Sequence, residues 1–457
     1  MAKISPTLFR EYDIRGLVDQ DLTEEAVALV GKALGTKVRA AGGKTVVVGH
    51  DCRLSGERFN AQLVAALRAT GCDVIDLGVV PTPLVYFAAH TLPGVDGSCQ
   101  ITGSHNPPEY NGLKLGLGRS TFHGDEIQEL RRLIEKGEFA TGSGSVRTHD
   151  IVTPYRAYVK ENLRLGGRRL KVVVDAGNGT GGVVAVPLFQ SLGIDVVPLF
   201  IEMDGRFPHH HADPTVEKNL EHLKAKVREV KADIGIAYDG DADRVGAVDE
   251  QGNVLWGDQI MILFARALLA EQPGAAIVGE VKCSFTLYDD IAAKGGRGIM
   301  WKAGHSLIKA KMKEEKAALA GEMSGHIFFA HRWFGFDDGI YSSARLLELL
   351  TRTDAPMSTL LADVPKTFST PELRVDCPED KKFELVRRAQ EFFAKRYEAV
   401  TVDGVRVVFP DGWGLVRASN TQPILVLRFE AKTPERLAEI ERLVRSKVDE
   451  LKRELGA

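Results

Sequence analysis

Four short stretches hold residues whose types and spacing could do chemistry. The first, "TGSHNPPEYNGLK" (102–114), carries Ser104, His105 and Lys114. Its Pro-Pro and Asn-Gly steps make it a loop, and "DGSCQI" before it reads as the end of a strand. The second, "YDGDADRVGAVDEQG" (238–252), alternates Asp239, Asp241 and Asp243 and continues into Arg244. Carboxylates this close repel one another unless a metal or protons intervene, and an all-oxygen set favours Mg²⁺, Mn²⁺ or Ca²⁺ over zinc. An EF-hand reading also matches D-x-D-x-D, with Glu250 twelfth. Arg244 then stands where that loop needs glycine, and "ADIGIAY" before it alternates like a strand. A solvated acidic turn fits poorly with apolar "GIAY" and "VGAV" on either side. The third stretch, "GEMSGHIFF" (321–329), places Glu322, Ser324 and His326 at alternate positions, on one face of an extended segment. That set suits neighbouring sugar hydroxyls, and equally a polar strand edge. The fourth, "VRASNTQP" (416–423), offers Arg417, Ser419, Asn420 and Thr421 in one turn. Such a cluster suits a phosphate, or is an exposed Ser/Asn-rich hairpin turn.

Together the stretches supply a serine nucleophile, a hard metal, hydroxyl readers and a phosphate clamp. That combination suits phosphoryl transfer on a phosphorylated sugar, where metal and cationic donors stabilise charge spread over oxygens. A phosphoserine would complete the shell of a Mg²⁺ held by a few carboxylates. "FPHHHADPT" (207–215) is a different case. Three consecutive histidines could be a metal tract, but adjacent side chains point different ways, so a structural loop is expected.

The elements that must position these residues follow from periodicity. A chain of 457 residues suggests about three domains. "KTVVVGHD", "ERFNAQLVAALRAT" and "CDVIDLG" read as strand, helix, strand. The order recurs in "LKVVVDAGNGTGG", "VVAVPLFQSLG" and "IDVVPLF", and again in "AAIVGEVKCS", "FTLYDDIAAKGG" and "RGIMWKAG". Glycine ends each helix. Three such units imply three α/β layers with largely parallel sheets. After about residue 366 the pattern changes to strands, an Asp-Gly hairpin in "AVTVDGVRVVF", and two amphipathic helices, the last opening on Thr-Pro. The expected limits are 1–150 with the serine loop, 151–253 with the metal loop, 254–366 with the sugar loop, and an α+β domain at 367–457 with the phosphate loop. Ligand sites on open α/β sheets lie beyond the carboxyl ends of strands, where these loops fall.

Bulk properties narrow the partners. The net charge of −3 gives no reason to expect nucleic acid. The first sixteen residues lack the apolar core of a signal peptide, and no apolar run is long enough for a bilayer. Five scattered cysteines, with no C-x-x-C, suit a reducing compartment, so a cytoplasmic location is expected.

The four motifs, in this order and spacing, resemble those of the α-D-phosphohexomutases, specifically the bacterial phosphomannomutase/phosphoglucomutase branch. The resemblance extends to the N-terminal "FREYDIRG" and covers nearly the whole chain. It implies three α/β domains and a C-terminal TATA-box-binding-protein-like domain around a central cleft. It also implies that Ser104 is the phosphoryl carrier and that Asp239, Asp241 and Asp243, with the serine phosphate, hold one Mg²⁺. Glu322 and Ser324 match readers of the sugar 3- and 4-hydroxyls, with His326 nearby. Arg417, Ser419, Asn420 and Thr421 match the clamp for the phosphate not transferred. Tyr12, Arg15, His105, Lys114, Arg244, Lys282 and His305 match further cleft contacts, with His105, Lys114 and Arg244 candidates for proton transfer. The implied reaction interconverts hexose 1- and 6-phosphates of mannose or glucose through a 1,6-bisphosphate, with glucose 1,6-bisphosphate as activator and a monomer or weak homo-oligomer as the working form. Met323 fits this branch, whereas glucosamine mutases usually carry glutamine there. A glucosamine mutase, a phosphate-releasing hydrolase and a non-catalytic sugar-phosphate sensor are the competing readings.

Overall fold

The computed structural model describes residues 4–419 and 422–457. Three α/β sheets follow one another, and all three contain the same four-strand arrangement. In the first sheet, Thr45–His50 pairs in parallel with Asp73–Val79 and with Gly97–Ile101. Gly97–Ile101 then returns antiparallel as Tyr110–Leu117. In the second, Lys171–Asp175 pairs in parallel with Asp195–Leu199 and Ile234–Tyr238, which returns as Val245–Asp249. In the third, Ala276–Glu280 pairs in parallel with Arg297–Trp301 and Leu319–Gly321, which returns as Ile327–Phe329. Shorter strands extend the first two sheets at their edges. The expected strand–helix–strand units form around helices Gly56–Ala69, Gly182–Ser191 and Phe285–Ala293. Gly71, Gly193 and Gly295 follow them with φ of 86°, 80° and 76°, the left-handed step that L side chains resist.

The alternation of each strand explains the packing. Val46 and Val48 face a core private to the first domain, whereas Val47 faces a large shared one. Val172 and Val174 join that shared core while Val173 points away, and Ile277 joins it while Val278 points away. One face of each α/β sheet therefore contributes to a single continuous core.

The C-terminal domain is different. Six strands from Phe368–Ser369 to Ile424–Ala431 form an antiparallel sheet, covered by helices Lys382–Ala394 and Pro434–Leu455. The expected Asp-Gly turn joins Glu398–Val400 to Val405–Phe409, with Gly404 at φ 71°. Thr433 caps the last helix by accepting from the Arg436 N–H at 3.2 Å, with Pro434 in its first turn.

Candidate active site

Three of the motif loops occupy one topological position. Each joins the last parallel strand of its sheet to the antiparallel return, at the carboxyl end of the parallel set. The phosphate motif also joins two antiparallel strands, Gly412–Ala418 and Ile424–Ala431.

Ser104 sits in the loop after Gly97–Ile101 with φ 49°. A non-glycine residue there costs of order 1–3 kcal/mol and persists only where its surroundings impose it. The imposing contacts are local. The Ser104 N–H donates to Thr102 Oγ1 at 2.8 Å, and its carbonyl accepts from Arg53 Nη2 at 2.9 Å. The hydroxyl, almost fully buried, donates to Asp239 Oδ2 at 2.8 Å and lies 3.2 Å from His105 Nδ1. Burial and the nearby Arg244 and Arg15 charges hold the His105 imidazole well below its usual pKa.

The acidic loop is not extended. It bends at Ala242, φ 56°, whose N–H donates to the Asp239 carbonyl at 3.1 Å. The bend brings carboxylate oxygens of Asp239, Asp241 and Asp243 within 4.8 Å of one another, all fully buried. Lys114, on the return strand Tyr110–Leu117, donates to Asp241 Oδ2 at 2.7 Å and also to Asp243 Oδ2. Thr82 donates its hydroxyl to Asp241. Burial pushes all three carboxyls up. Repulsion from its neighbours adds to this at Asp239 and at Asp243, whereas Lys114 and Thr82 hold Asp241 far below the ordinary carboxylate range. Lys114 is buried too, but Asp241 and Asp243 outweigh that and keep its ammonium charged. Oδ1 of Asp241 and Oδ1 of Asp243 are buried without a hydrogen-bond partner. Buried carboxylate oxygens left in this way, all hard donors, fit a divalent cation such as Mg²⁺.

The third motif overturns the expectation of one extended face. Glu322 to Gly325 form a tight turn, with Gly325 at φ 88° and the Glu322 N–H donating to the His326 carbonyl at 2.9 Å. A short turn between Leu319–Gly321 and Ile327–Phe329 leaves no room for an extended run, so alternate spacing does not put the three residues on one strand face. Glu322 Oε1 accepts from the Gly304 N–H at 2.5 Å, beside His305. Ser324 is half-buried at the turn. His326 packs beneath the acidic loop: Nε2 accepts from Arg244 Nε–H at 2.9 Å, and Nδ1 lies 3.5 Å from Asp243 and 3.3 Å from Asp337. Asp337 also pairs with Lys309 at 2.9 Å. Arg244 closes the set, its N–H on Asp239 Oδ1 at 3.2 Å.

The other residues singled out from the sequence lie around these loops. Tyr12 meets His305 edge-on with ring centres 5.3 Å apart. Burial raises its hydroxyl pKa, with Asp13 and Glu322 adding and Arg417 and Arg15 opposing. Arg15 donates to Asn106 at 2.7 Å and to Asp13 at 2.5 Å. Lys282 lies 3.3 Å from Glu372, and despite burial its pKa is pushed up to about 12 by Glu280 and Glu372. Arg417 donates to Asp403 Oδ2 at 2.9 Å, and the same oxygen accepts from the Ala303 N–H at 3.1 Å. The Ser419 N–H donates to the Ile424 carbonyl at 3.0 Å, and its own carbonyl accepts from Lys382 at 2.6 Å. Asn420 and Thr421 lie outside the described residues.

Sequence reasoning missed Arg53, Thr82, Asp337 and Asp403. Arg53 falls just beyond the carboxyl end of Thr45–His50, where the strand-end rule points. Asp403 was visible only as half of a turn. The histidine tract also reaches the site, for His211 Nε2 hydrogen-bonds the His105 carbonyl.

Residues 6–141, 153–252 and 256–368 match phosphoglucomutase/phosphomannomutase alpha/beta/alpha domains I, II and III, and residues 372–447 match the C-terminal domain. The chain belongs to the phosphoglucomutase/phosphomannomutase family. It is 48% identical to a phosphomannomutase/phosphoglucomutase of Pseudomonas aeruginosa over 97% of this chain and 95% of that one. It is 46% identical to a phosphoglucomutase of Neisseria meningitidis over 97% and 96%. A crystal structure of a family protein from Burkholderia thailandensis superposes with a TM-score of 0.93 at 45% identity, covering 98% of each chain. The expectation of three α/β domains with mixed, largely parallel sheets and a C-terminal α+β domain is borne out: the chain has the architecture of the family, three α/β domains with mixed sheets and a C-terminal domain with an antiparallel sheet.

Proposed function

We propose that this protein is a phosphohexomutase interconverting the 1- and 6-phosphates of mannose and glucose. The observation that carries the reading is the Ser104 hydroxyl hydrogen-bonded to Asp239 at 2.8 Å beside two buried carboxylate oxygens that accept no hydrogen bond. Its relatives at 46–48% identity carry mannose and glucose names.

In this reading Ser104 carries the phosphoryl group. A sugar hydroxyl attacks phosphorus, the P–Oγ bond breaks and the new P–O bond gives a 1,6-bisphosphate. The second half runs the same step backwards with the other phosphate, restoring phosphoserine. One Mg²⁺ held by Asp239, Asp241, Asp243 and the serine phosphate would supply electrostatic stabilisation of the transferring group. Lys114 and Arg244 enter as fixed positive charges beside it. The attacking sugar hydroxyl gives up a proton and Oγ takes one up as the P–Oγ bond breaks; His105, with Nδ1 3.2 Å from Oγ, has the reach to deliver the proton at Oγ and to withdraw it when Ser104 is rephosphorylated. Glu322 and Ser324 read the 3- and 4-hydroxyls, His326 orients Arg244, and Tyr12, Arg15, Lys282 and His305 line the cleft. Arg417, Ser419, Asn420 and Thr421 hold the phosphate that stays. Readers of the 3- and 4-hydroxyls leave the 2-hydroxyl free, which suits both sugars. Glucose 1,6-bisphosphate would prime the enzyme. Among the described residues no helix is long and apolar enough to cross a membrane. The five free cysteines, four of them buried, suit the cytoplasm proposed as its location.

The test is isomerisation of glucose 1-phosphate and mannose 1-phosphate by purified protein with Mg²⁺ and glucose 1,6-bisphosphate. Both sugars should be converted, and Ser104→Ala should lose nearly all turnover. Phosphate release outpacing isomerisation would make it a hydrolase; tight binding without turnover would make it a sensor.

A further inference from the structure

We infer that Arg53 is a positioning residue for the nucleophile: its guanidinium holds the Ser104 loop in the one conformation that faces the metal site. The inference rests on the reading of Ser104 as phosphoryl carrier. A guanidinium has five N–H groups in a rigid fork, and here all five are used. Nε donates to Asp51 Oδ2 at 3.2 Å. Nη1 donates to the carbonyls of Pro107 at 2.6 Å and Tyr110 at 2.9 Å. Nη2 donates to the carbonyls of Ser104 at 2.9 Å and Asn106 at 2.5 Å. Three carbonyls of the loop and one from the first residue of its return strand thus converge on one side chain that is fully buried.

The surroundings lock Arg53 in turn. Asp51 accepts its backbone N–H at 2.9 Å and also takes the Thr102 hydroxyl at 2.7 Å, so one carboxylate ties the arginine to the residue that holds the Ser104 N–H. The Phe207 ring, from the next domain, lies 5.2 Å from the guanidinium carbon. A Cβ at Gly103 would come within 2.5 Å of that carbon, and its three nearest atoms all belong to Arg53. Gly103 is therefore glycine so that the fork can pass. Arg53 touches neither the hydroxyl nor a carboxylate of the metal triad; it acts through the loop backbone, which explains how Ser104 keeps φ 49°.

The experiment is steady-state kinetics of Arg53→Lys, which keeps the charge and loses the fork. A misplacement of about 1 Å costs on the order of 100-fold in rate. The expected result is a kcat lowered about 100-fold with KM within about threefold of wild type, because the residues read as holding the sugar hydroxyls (Glu322, Ser324) and the staying phosphate (Arg417, Ser419) lie on the third and fourth domains. The circular dichroism spectrum should be unchanged. Wild-type kcat in Arg53→Lys overturns the inference, as does a KM that rises while kcat holds. Should that variant fail to fold, Gly103→Ala displaces the same guanidinium without removing a hydrogen-bonding group, and it should show the same loss of kcat; wild-type kcat there overturns the inference equally. Wild-type protein inactive on both sugars would instead refute the mutase reading itself.

Discussion

Lys114 sets the charge balance of the site. Three fully buried carboxylates lie within 4.8 Å of one another, and the ammonium bound to Asp241 and Asp243 comes from another domain. Taking ions from water is costly, and a buried pair repays this only while both partners are present. Lys114→Met should therefore destabilise the metal-free protein by about 3–5 kcal/mol, the range for breaking a buried pair. Mg²⁺ should recover part of that loss, because it neutralises the same oxygens and binds only the folded state. Urea midpoints with and without Mg²⁺ measure both effects, and equal midpoints for variant and wild type without metal would remove the lysine from this role. Lys114, Ser104 and the aspartates were legible in the sequence because each motif is local and chemically loaded. Arg53 and Thr82 were not: the first binds a loop more than fifty positions away and the second an aspartate 159 positions away. His326 was legible as a site residue, but its direction was not. Alternate spacing aims side chains together only if the backbone stays extended, and Gly325 turns it.

At the scale of elements, the hairpin return recurs as the device that presents chemistry. A parallel strand buried in the sheet fixes one end of each loop, and the antiparallel return fixes the other, so the loop cannot drift. The repeated strand–helix–strand units were readable from β-branched runs and glycine stops. The returns were harder, since "IFF" and "VGAVD" are short buried runs without alternation. The helix Gly339–Leu350 follows the third return and is capped by Asp338, which accepts the Tyr341 N–H at 2.8 Å and the Tyr155 hydroxyl at 3.0 and 2.9 Å. Burial pushes the Asp338 carboxyl up to about 7, against the Tyr341 and Tyr155 hydrogen bonds. An unfolded aspartate titrates near about 4. Between these values the folded chain keeps a proton that the unfolded chain has lost, so this group's contribution to stability falls as pH rises through the window and levels off above it. Asp338→Asn has no such proton. Its stability deficit relative to wild type should shrink from pH 5 to pH 8, as read from denaturant midpoints. A deficit constant across that range would show that the carboxyl does not titrate there.

For the whole molecule, the contrast between cores decides what can move. The first three sheets share one continuous apolar core. The C-terminal domain has its own core and meets the third domain in a small apolar cluster, Val281, Trp413 and Leu415. The other contacts named across that boundary are polar. Arg406 donates to the carbonyls of Val281 and Cys283 at 2.7 Å each, Ser284 donates to Glu430 at 2.6 Å, and Lys282 faces Glu372. The Asp403 carboxylate, which accepts from Arg417, also accepts from the Ala303 N–H on the third domain. A small and largely polar interface gives way more readily than a shared core, and relative motion is the expectation for it. The proposed reaction calls for that freedom: one clamp must accept either end of a sugar bisphosphate that turns round between two transfers, then close again. Saturating the protein with glucose 1-phosphate should draw the C-terminal domain over the cleft and lower the radius of gyration measured by solution scattering. The first three domains, locked by their common core, should show unchanged amide exchange in Val46–Val48 and Val172–Val174, while strand-end amides around Ala303 and Arg417 gain protection. Identical scattering dimensions with and without substrate would mean that the sugar turns within a fixed cleft, and the clamp would then have to accommodate both ends by side-chain motion alone.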